Sequence, residues 1–324
     1  MNAGAKKLLL TLAFVALDLF LHGQTVGFTN TTRLTNREIL LRLNATAGQR
    51  VRIDTSTNLA QWHPLLTLSS TGLNQHADTA APYLNRRYYR AEQLSGTTHV
   101  TGDYLTTTNG DVLIHPVRHA SLVMTWNGIV IYNDPDTFGT PLYAGLPKAN
   151  LILISHEHGD HFDTSAIIAN TNVNCAIIAP QFVYNSMTAS LQARTTVLSN
   201  GMGTNLLGLR VDAVPAYNTN HLNHPLGRGN GYVVTIGGRR IYMAGDTGPS
   251  PEMRVLPNID VAFIPMNLQF TMSTTQAVSV VRDMRPKVVY PYHYSGSPVP
   301  DMNWFKQQVS NDLNIEVRIR NWYP

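Results

Sequence analysis

The pattern of apolar and polar residues changes close to residue 99. Before that point, short alternating stretches at residues 51–54 and 65–68 are typical of half-buried strands. Gly and Asn residues bound these stretches, and helical periodicity is weak throughout. The pattern predicts a small all-β module over residues 27–94, followed by a Ser-, Gly- and Thr-containing linker at residues 95–98.

Beyond the linker, strand-like runs alternate with helix-like ones. An unbroken apolar run at residues 151–154 is typical of a strand that is buried on both faces. Apolar residues at helical spacing predict a helix that begins at Ser273 and ends before Pro286. Other predicted strands lie at residues 112–114, 121–126, 129–132, 209–214, 232–236, 239–243, 261–265 and 288–290. The interleaving predicts an α/β domain over residues 99–324, with helices that cover the sheets.

The first 23 residues have the form of a secretory signal. Lys6 and Lys7 precede a short apolar run, and a small residue, Gly23, stands near its end. The run is shorter than the roughly 20 residues of a membrane span, and Asp18 interrupts it. We therefore expect a signal peptide over residues 1–23 and a secreted or periplasmic protein. An uncleaved anchor or a buried helix is the alternative.

The amino-acid composition excludes several classes of protein and of metal site. Only 14% of the 324 residues are charged, below the roughly 25% that is usual, and 43% are hydrophobic, which excludes a disordered chain. The net charge of +4 has no clustered basic run behind it, so we expect no nucleic-acid partner. One cysteine excludes a disulfide framework and a thiolate-built zinc site, whereas twelve histidines leave imidazole and carboxylate as ligands. Cys175 lies in a strand-like run and is interpreted as a core residue.

The candidate chemistry lies directly after the apolar run, in the segment Ser-His-Glu-His-Gly-Asp-His at residues 155–161. His156 and His158 are two residues apart, so their imidazoles share one face of an extended backbone. Asp160 and His161 can turn toward a second position nearby. Nitrogen and oxygen donors in this number suit Zn²⁺ or a related divalent ion.

The segment contains the pattern H-x-H-x-D-H at a strand end and thereby resembles the signature of the metallo-β-lactamase superfamily. The resemblance covers residues 100–324 and implies an αββα sandwich with two divalent metal ions, zinc first, with Mn²⁺ or Fe²⁺ as alternatives. Asp246 and His293 each follow a predicted strand. They match the carboxylate that bridges the two metals in the family and its last metal-binding histidine.

More narrowly, the chain is similar to the branch that includes L-ascorbate-6-phosphate lactonase and N-acyl-phosphatidylethanolamine phospholipase D. The segments that carry this likeness lie at residues 115–121, 133–135, 231–234, 264–267 and 270–272. The branch implies a hydrolase that uses a metal-bound hydroxide on a phosphodiester, a phosphate ester or a lactone. The expected substrate is a small molecule or lipid-like.

One position departs from the family. Where a third histidine is expected for the first metal, the Pro-Ala alignment places Asn218. An amide oxygen binds zinc more weakly than imidazole does, so His221 or His224 are alternatives. We rank Asn218 slightly above both, and place His224 in a loop that contacts substrate. If none of the three binds, the first site is weak or prefers Mn²⁺ or Fe²⁺.

Other residues receive supporting roles. Asp160 is expected to orient the nucleophile and move its proton, as well as to bind metal. Asp134 is expected to hydrogen-bond a ligand histidine and fix its tautomer. His119 contacts substrate, supports a ligand or has a plain structural role. Tyr292 and Tyr294 flank His293 and are candidates for lining the pocket, with packing as the expected use of at least one.

A second function from another class stays open at this point. The β module would engage glycan or envelope, and the metal-binding domain would have lost turnover. Asn218 favours this alternative, whereas the intact H-x-H-x-D-H pattern favours the enzyme. Trp62, Tyr88 and Tyr89 are the aromatic residues that could stack on a sugar, although core packing is the commoner use of such residues.

Overall fold

The computed structural model of the chain describes residues 26–60, 63–78, 81, 86–94, 102–138, 140–143, 146–219, 223–295, 300–313, 315–320 and 322–323. The chain divides into two compact units, residues 1–96 and 97–324. The expected signal peptide and the expected linker lie outside the described residues.

The N-terminal unit consists of two antiparallel three-stranded sheets. Their strands are β1 (Gly27–Arg33), β2 (Ile39–Asn44), β3 (Arg50–Ser56), β4 (His63–Ser69), β5 (Leu73–Asp78) and β6 (Tyr88–Leu94). The sheet orders are β1-β2-β5 and β4-β3-β6. Leu41 and Leu43 of one sheet and Val51 and Ile53 of the other belong to one buried cluster. The predicted all-β module is confirmed.

One candidate for sugar stacking is a core residue. Tyr89 is fully buried, and its hydroxyl donates to Asp78 Oδ2 at 3.0 Å. The same carboxylate accepts a 2.7 Å hydrogen bond from Arg87 Nε. Tyr89 is therefore unavailable for a ligand, as expected of an aromatic ring whose polar end has a partner. Tyr88 is half-buried, and Trp62 lies outside the described residues.

The C-terminal unit contains two seven-stranded sheets. The first has the order β13-β12-β11-β10-β9-β8-β7. Its strands are β7 (Asp103–Thr106), β8 (Asp111–Arg118), β9 (Ser121–Trp126), β10 (Ile129–Asn133), β11 (Ala149–Leu153), β12 (Thr171–Ala179) and β13 (Thr195–Val197). Strands β7 to β10 pair antiparallel, and β10 to β13 pair parallel. Asn127 and Gly128 both have positive φ, as a tight hairpin turn requires.

The second sheet repeats this plan in the order β14-β15-β16-β17-β18-β19-β20. Its strands are β14 (Gly203–Leu206), β15 (Leu209–Ala216), β16 (Gly229–Ile236), β17 (Arg239–Met243), β18 (Val261–Pro265), β19 (Val288–Tyr292) and β20 (Glu316–Val317). Strands β14 to β17 pair antiparallel, and β17 to β20 pair parallel. The parallel halves bring several strand ends to one edge, where side chains can converge.

Helices cover both outer faces. They are α1 (Thr164–Asn170), α2 (Gln181–Ser186), α3 (Ala189–Gln192), α4 (Pro251–Arg254), α5 (Thr274–Met284) and α6 (Met302–Leu313). Leu151 and Leu153 of β11 pack between the sheets, whereas Ile152 packs with Ile167 of α1 on the outside. On the other face, Val289 of β19 packs with Val281 of α5. The layers confirm the αββα sandwich and explain the unbroken apolar run of β11.

The predicted helix is α5. Ser273 caps its N-terminus, and the reciprocal hydrogen bonds with Gln276 form a capping box. Its last residue is followed by Arg285 in the left-handed conformation, directly before Pro286. Among the residues described here, no helix is long and apolar enough to cross a membrane.

A buried ion-pair cluster ties the start of the C-terminal unit to its end. Asp103 is 1% exposed and accepts hydrogen bonds from Arg320 Nη2 at 2.6 Å and from the Tyr290 hydroxyl at 2.6 Å. Arg318 donates to the same tyrosine oxygen at 3.0 Å. Burial raises the pKa of Asp103, but the two arginines outweigh it and hold that pKa below its usual value.

We expect Asp103→Asn to destabilise the fold by about 3–5 kcal/mol, because it removes the buried negative charge that pairs with Arg320. Asp212→Asn is the matched control, since Asp212 pairs with Arg210 at 2.7 Å on the surface. That change should cost less than about 1 kcal/mol. Urea unfolding followed by tryptophan fluorescence measures both, and equal effects would contradict the structural role of Asp103.

Candidate metal centre

Strand ends from both sheets supply the site. The loop at residues 155–161 follows β11, and Asp134 follows the neighbouring strand β10. In the second sheet, Asp246 follows β17 and His293 follows β19. The carboxyl ends of parallel strands meet at one edge of a sheet, so residues far apart in sequence converge there.

The first group of candidate ligands is His156, His158 and His224. His156 Nε2 and His158 Nδ1 are 2.9 Å apart, and His224 Nε2 is 3.3 Å from His158 Nδ1. His156 and His224 are about 95% buried. Three imidazole nitrogens facing one point form the kind of donor set that binds Zn²⁺.

The second group consists of His119, Asp160, His161 and His293. The rings of His119 and His293 are 3.7 Å apart between centroids, and His161 stacks on His293 at 5.2 Å. Asp160 is the most exposed member, with 42% of its side chain accessible.

Asp246 lies between the groups and faces each with a different oxygen. Its Oδ1 is 3.1 Å from His293 Nε2 and 3.3 Å from His161 Nε2. Its Oδ2 is 3.5 Å from His224 Nε2 and 3.9 Å from His156 Nε2. A carboxylate in this position can bind one ion through each oxygen.

Gly245 allows this placement. Its φ is +65°, and a Cβ there would lie 3.0 Å from Ser155 Cβ and 3.1 Å from the Asn230 carbonyl oxygen. Its backbone N–H donates to the Tyr292 hydroxyl at 2.8 Å. Tyr292 is fully buried in the core between the sheets, so it positions the turn before Asp246 and does not line a pocket.

Unpartnered polar atoms test whether a metal fits. Within the described part of the chain, His161 Nε2, Asp246 Oδ1 and His293 Nε2 are buried and make no hydrogen bond of good geometry. Native proteins rarely leave such atoms unsatisfied. Three orphaned donor atoms that face one point are what a bound divalent ion would satisfy, so the residues fit a metal.

The charge states also suit metal binding. Burial lowers the pKa of His156 well below its usual value, and it lowers the pKa of His224 in the same direction. Burial raises the pKa of Asp246, but His293 and His161 outweigh it and hold that pKa well below its usual value. Neutral imidazole and ionised carboxylate are the forms that coordinate metals. His161 differs, because Asp246 and Asp134 outweigh the effect of burial and raise its pKa to about 10, so an ion would displace a proton from this ring.

Asp134 orients His161 from behind. Its Oδ2 is 3.0 Å from His161 Nδ1, and it also accepts from Ser155 Oγ at 2.7 Å. The Ser155 backbone N–H donates to Asp134 Oδ1 at 2.7 Å. An acceptor at Nδ1 holds a proton on that nitrogen and orients the ring so that Nε2 faces Asp246, which agrees with the role that the sequence predicted for Asp134.

A line of hydrogen bonds reaches Asp160 from the C-terminus. The Tyr323 hydroxyl is 2.7 Å from His119 Nδ1, and His119 Nε2 is 3.0 Å from Asp160 Oδ2. Burial and the neighbouring His293 lower the pKa of His119 to about 4, so the ring is neutral near pH 7. Asp160 only accepts, because its pKa lies below the usual value. His119 therefore donates through Nε2 and accepts from Tyr323 at Nδ1.

Three residues of the site have left-handed backbone conformations. His119, Asp134 and His293 have φ values of 56°, 42° and 49°. Such angles are uncommon for residues with a Cβ and mark places where the surrounding structure holds the backbone. The His293 N–H donates to the His119 carbonyl oxygen at 3.2 Å, and the His119 N–H donates to Trp322. These bonds fix two of the three.

The structure brings His224, not Asn218, to His156 and His158, which reverses our ranking. The Asn218 Nδ2 donates to the carbonyl oxygens of Phe270 and Thr271 at 3.1 and 3.2 Å. Its backbone N–H donates to the His224 carbonyl oxygen at 2.8 Å. Asn218 thus shapes the loop that presents His224. His221 lies outside the described residues.

Other residues were missed or misjudged by sequence reasoning. Tyr294, predicted to line the pocket, donates to the Arg320 carbonyl oxygen at 2.8 Å and packs on Tyr323. Tyr323 itself was not predicted, because a tyrosine near a chain end has no distinctive pattern. Arg228 was also missed, although the Gly- and Asn-rich loop around it was noted as a rim.

The comparisons with known proteins agree with this geometry. A family model described as a β-lactamase superfamily domain matches residues 113–293, which is more than half of the chain. The chain belongs to the metallo-β-lactamase superfamily. A UPF0173 metal-dependent hydrolase from Thermococcus onnurineus is 32% identical over 192 residues, which cover 56% of this chain and 85% of that protein.

Solved structures described as metal-dependent or metallo hydrolases show the same fold. A metal-dependent hydrolase from Parabacteroides distasonis is 38% identical, with a TM-score of 0.61, over 67% of this chain and 97% of that one. A metallo hydrolase from Ignicoccus hospitalis is 26% identical, with a TM-score of 0.55, over 64% and 94%. This metallo-β-lactamase superfamily chain is therefore similar to metal-dependent hydrolases in both sequence and structure.

The placement of His224 leads to a metal-content prediction. His224→Ala should lower the affinity of one metal site by at least about tenfold, because it removes an imidazole donor. Asn218→Ala should retain its metal content and lose fold stability instead, since Asn218 bonds to two carbonyl oxygens. Elemental analysis after dialysis against a chelator measures the difference. Loss of metal in Asn218→Ala but not in His224→Ala would restore the original ranking.

Proposed function

We propose that the protein hydrolyses its substrate at a binuclear centre, with one ion held by His156, His158 and His224 and a second by Asp160, His161 and His293. The observation that carries this proposal is the position of Asp246, whose two oxygens face the two groups separately. A single-ion site would not need donors on both sides of one carboxylate. Zinc suits the nitrogen-rich donor sets best, with Mn²⁺ or Fe²⁺ as alternatives.

Bound divalent ions supply a nucleophile at neutral pH and polarise the scissile group. The residues of the chain then account for the proton. Asp160 is the accessible carboxylate of the site, and it is ionised at pH 7. It can accept a proton from the attacking water and release it to the leaving group. His119 holds the Oδ2 of Asp160 in place at 3.0 Å.

The scissile bond belongs to a phosphodiester, a phosphate ester or a lactone, in a small or lipid-like molecule. The branch resemblance of the sequence supports this range. The form of residues 1–23 supports export to the periplasm or beyond. The alternative function, an inactive protein that binds envelope or glycan, is less well supported than the hydrolase, because the candidate site contains His224 where Asn218 was expected.

The test is metal content measured beside hydrolysis of bis-p-nitrophenyl phosphate, p-nitrophenyl phosphate and a panel of lactones. We expect two ions per chain and turnover of at least one substrate. His158→Ala should reduce kcat/KM by at least about 100-fold, as loss of a metal ligand does, and His76→Ala of the N-terminal unit should not. Bound metal with no turnover that depends on His158 would favour the binding protein.

Tyr323→Phe should lower kcat by about 10-fold and leave KM within about twofold, because the hydroxyl acts on Asp160 through His119. Without this donor, His119 can adopt the other tautomer and lose its hydrogen bond to Asp160. The acidic limb of the pH–rate profile should therefore move upward, as the pKa of Asp160 rises. Tyr184→Phe, on the exterior helix α2, is the control. An unchanged profile with an unchanged kcat would contradict the positioning role.

A further inference from the structure

We propose that Arg228 binds a negatively charged phosphoryl group of the substrate, so that the centre acts on phosphate esters in preference to neutral lactones. The inference rests on the proposed function and narrows its substrate class. Arg228 lies in the loop between β15 and β16, outside the candidate ligands.

Arg228 lines the same recess as the first group of histidines. The lining of this recess comprises Ser155, His156, Glu157, Ala216, Asn223, His224, Arg228, Gly229 and Asp246. Arg228 is the only Lys or Arg residue of that lining, so a substrate that enters the recess meets this cation beside the donors of His156 and His224.

Two contacts hold the guanidinium in place. Its Nε donates to Glu157 Oε1, and its Cζ lies 5.2 Å from the centroid of the Phe182 ring. Glu157 stands between His156 and His158, so this ion pair anchors Arg228 to the loop that carries two candidate ligands. The Phe182 ring packs against the face of the guanidinium, and the Glu157 carboxylate binds one edge of it. These two contacts orient the planar guanidinium before any ligand binds.

The other edge of the guanidinium remains for a ligand. Of the bonds that the structure describes, none involves Nη1 or Nη2 of Arg228, and 37% of the side chain is accessible. Arginine has five N–H donors, and the paired terminal ones match the oxygens of a phosphoryl group. An anion can thus bind Arg228 without first displacing Glu157.

The charge around Arg228 also bears on the ligand. Glu157 offsets the charge of the Arg228 guanidinium. The divalent ions that the centre would hold are therefore the further source of positive charge beside the recess. Such ions and the free edge of the guanidinium attract a phosphate ester and give a neutral lactone no such advantage.

The competing role is purely structural: Arg228 would only tie its loop to Glu157. The two roles predict opposite behaviour of the partners. If the ion pair serves only to hold the loop in place, Arg228→Gln and Glu157→Gln should change anion binding in the same direction. If Arg228 binds an anion, Arg228→Gln should weaken anion binding, whereas Glu157→Gln should strengthen it by removing a negative charge from the recess.

The experiment uses the full chain loaded with metal, in these two variants, in Arg228→Lys, and in Arg210→Gln as a control. Arg210 is an exposed arginine that also pairs with a neighbouring carboxylate. Metal content is measured for each protein. Isothermal titration calorimetry with inorganic phosphate measures binding, and the ratio of kcat/KM for p-nitrophenyl phosphate to that for a neutral lactone measures selectivity.

We expect Arg228→Gln to weaken phosphate binding roughly 10- to 100-fold and to lower the selectivity ratio similarly, which corresponds to one lost charge-assisted hydrogen-bond pair. Arg228→Lys should recover part of the loss. Parallel weakening in Arg228→Gln and Glu157→Gln, or unchanged phosphate binding in Arg228→Gln, would overturn the proposal. If no substrate is hydrolysed, the proposed function fails, and the calorimetry still decides the role of Arg228.

Discussion

The arrangement of the candidate ligands depends on one buried carboxylate. Asp246 is 5% exposed and faces imidazoles with both of its oxygens. Burying a carboxylate without compensating charge costs several kcal/mol. Without metal, a proton on His161 supplies part of that charge, because Asp246 and Asp134 outweigh the effect of burial and raise the pKa of His161 to about 10. Divalent ions between Asp246 and the imidazoles would supply that charge. The unsatisfied buried atoms, which destabilise the apo protein, are therefore also the candidate metal ligands. Metal binding should for this reason stabilise this region of the fold.

Both sheets of the C-terminal unit position site residues in the same way. Each seven-stranded sheet has an antiparallel half and a parallel half, and the parallel strand ends carry Asp134 and the loop at residues 155–161 from one sheet, and Asp246 and His293 from the other. Left-handed backbone at His119, Asp134 and His293 turns the chain immediately where a strand ends. Backbone hydrogen bonds, from His293 to His119 and from His119 to Trp322, hold two of these three conformations in place.

Sequence alone was sufficient for the parts that local pattern encodes. The apolar run of β11 and the motif behind it pointed to His156, His158, Asp160 and His161. Asp246 and His293 were identified through the family resemblance, which their positions after strands supported. Sequence reasoning failed at Asn218 and His224, because their positions depend on Phe270, which lies about fifty residues away and supplies a carbonyl oxygen to both side chains. Tyr323 was missed for the same reason, since its partner His119 is 204 positions away.

Anomalous X-ray scattering from crystals of the metal-loaded protein tests the central claim most directly. The account predicts two peaks, one among His156, His158 and His224 and one among Asp160, His161 and His293, with a different oxygen of Asp246 at each. A single peak, or two peaks that Asp246 does not bridge, would contradict it.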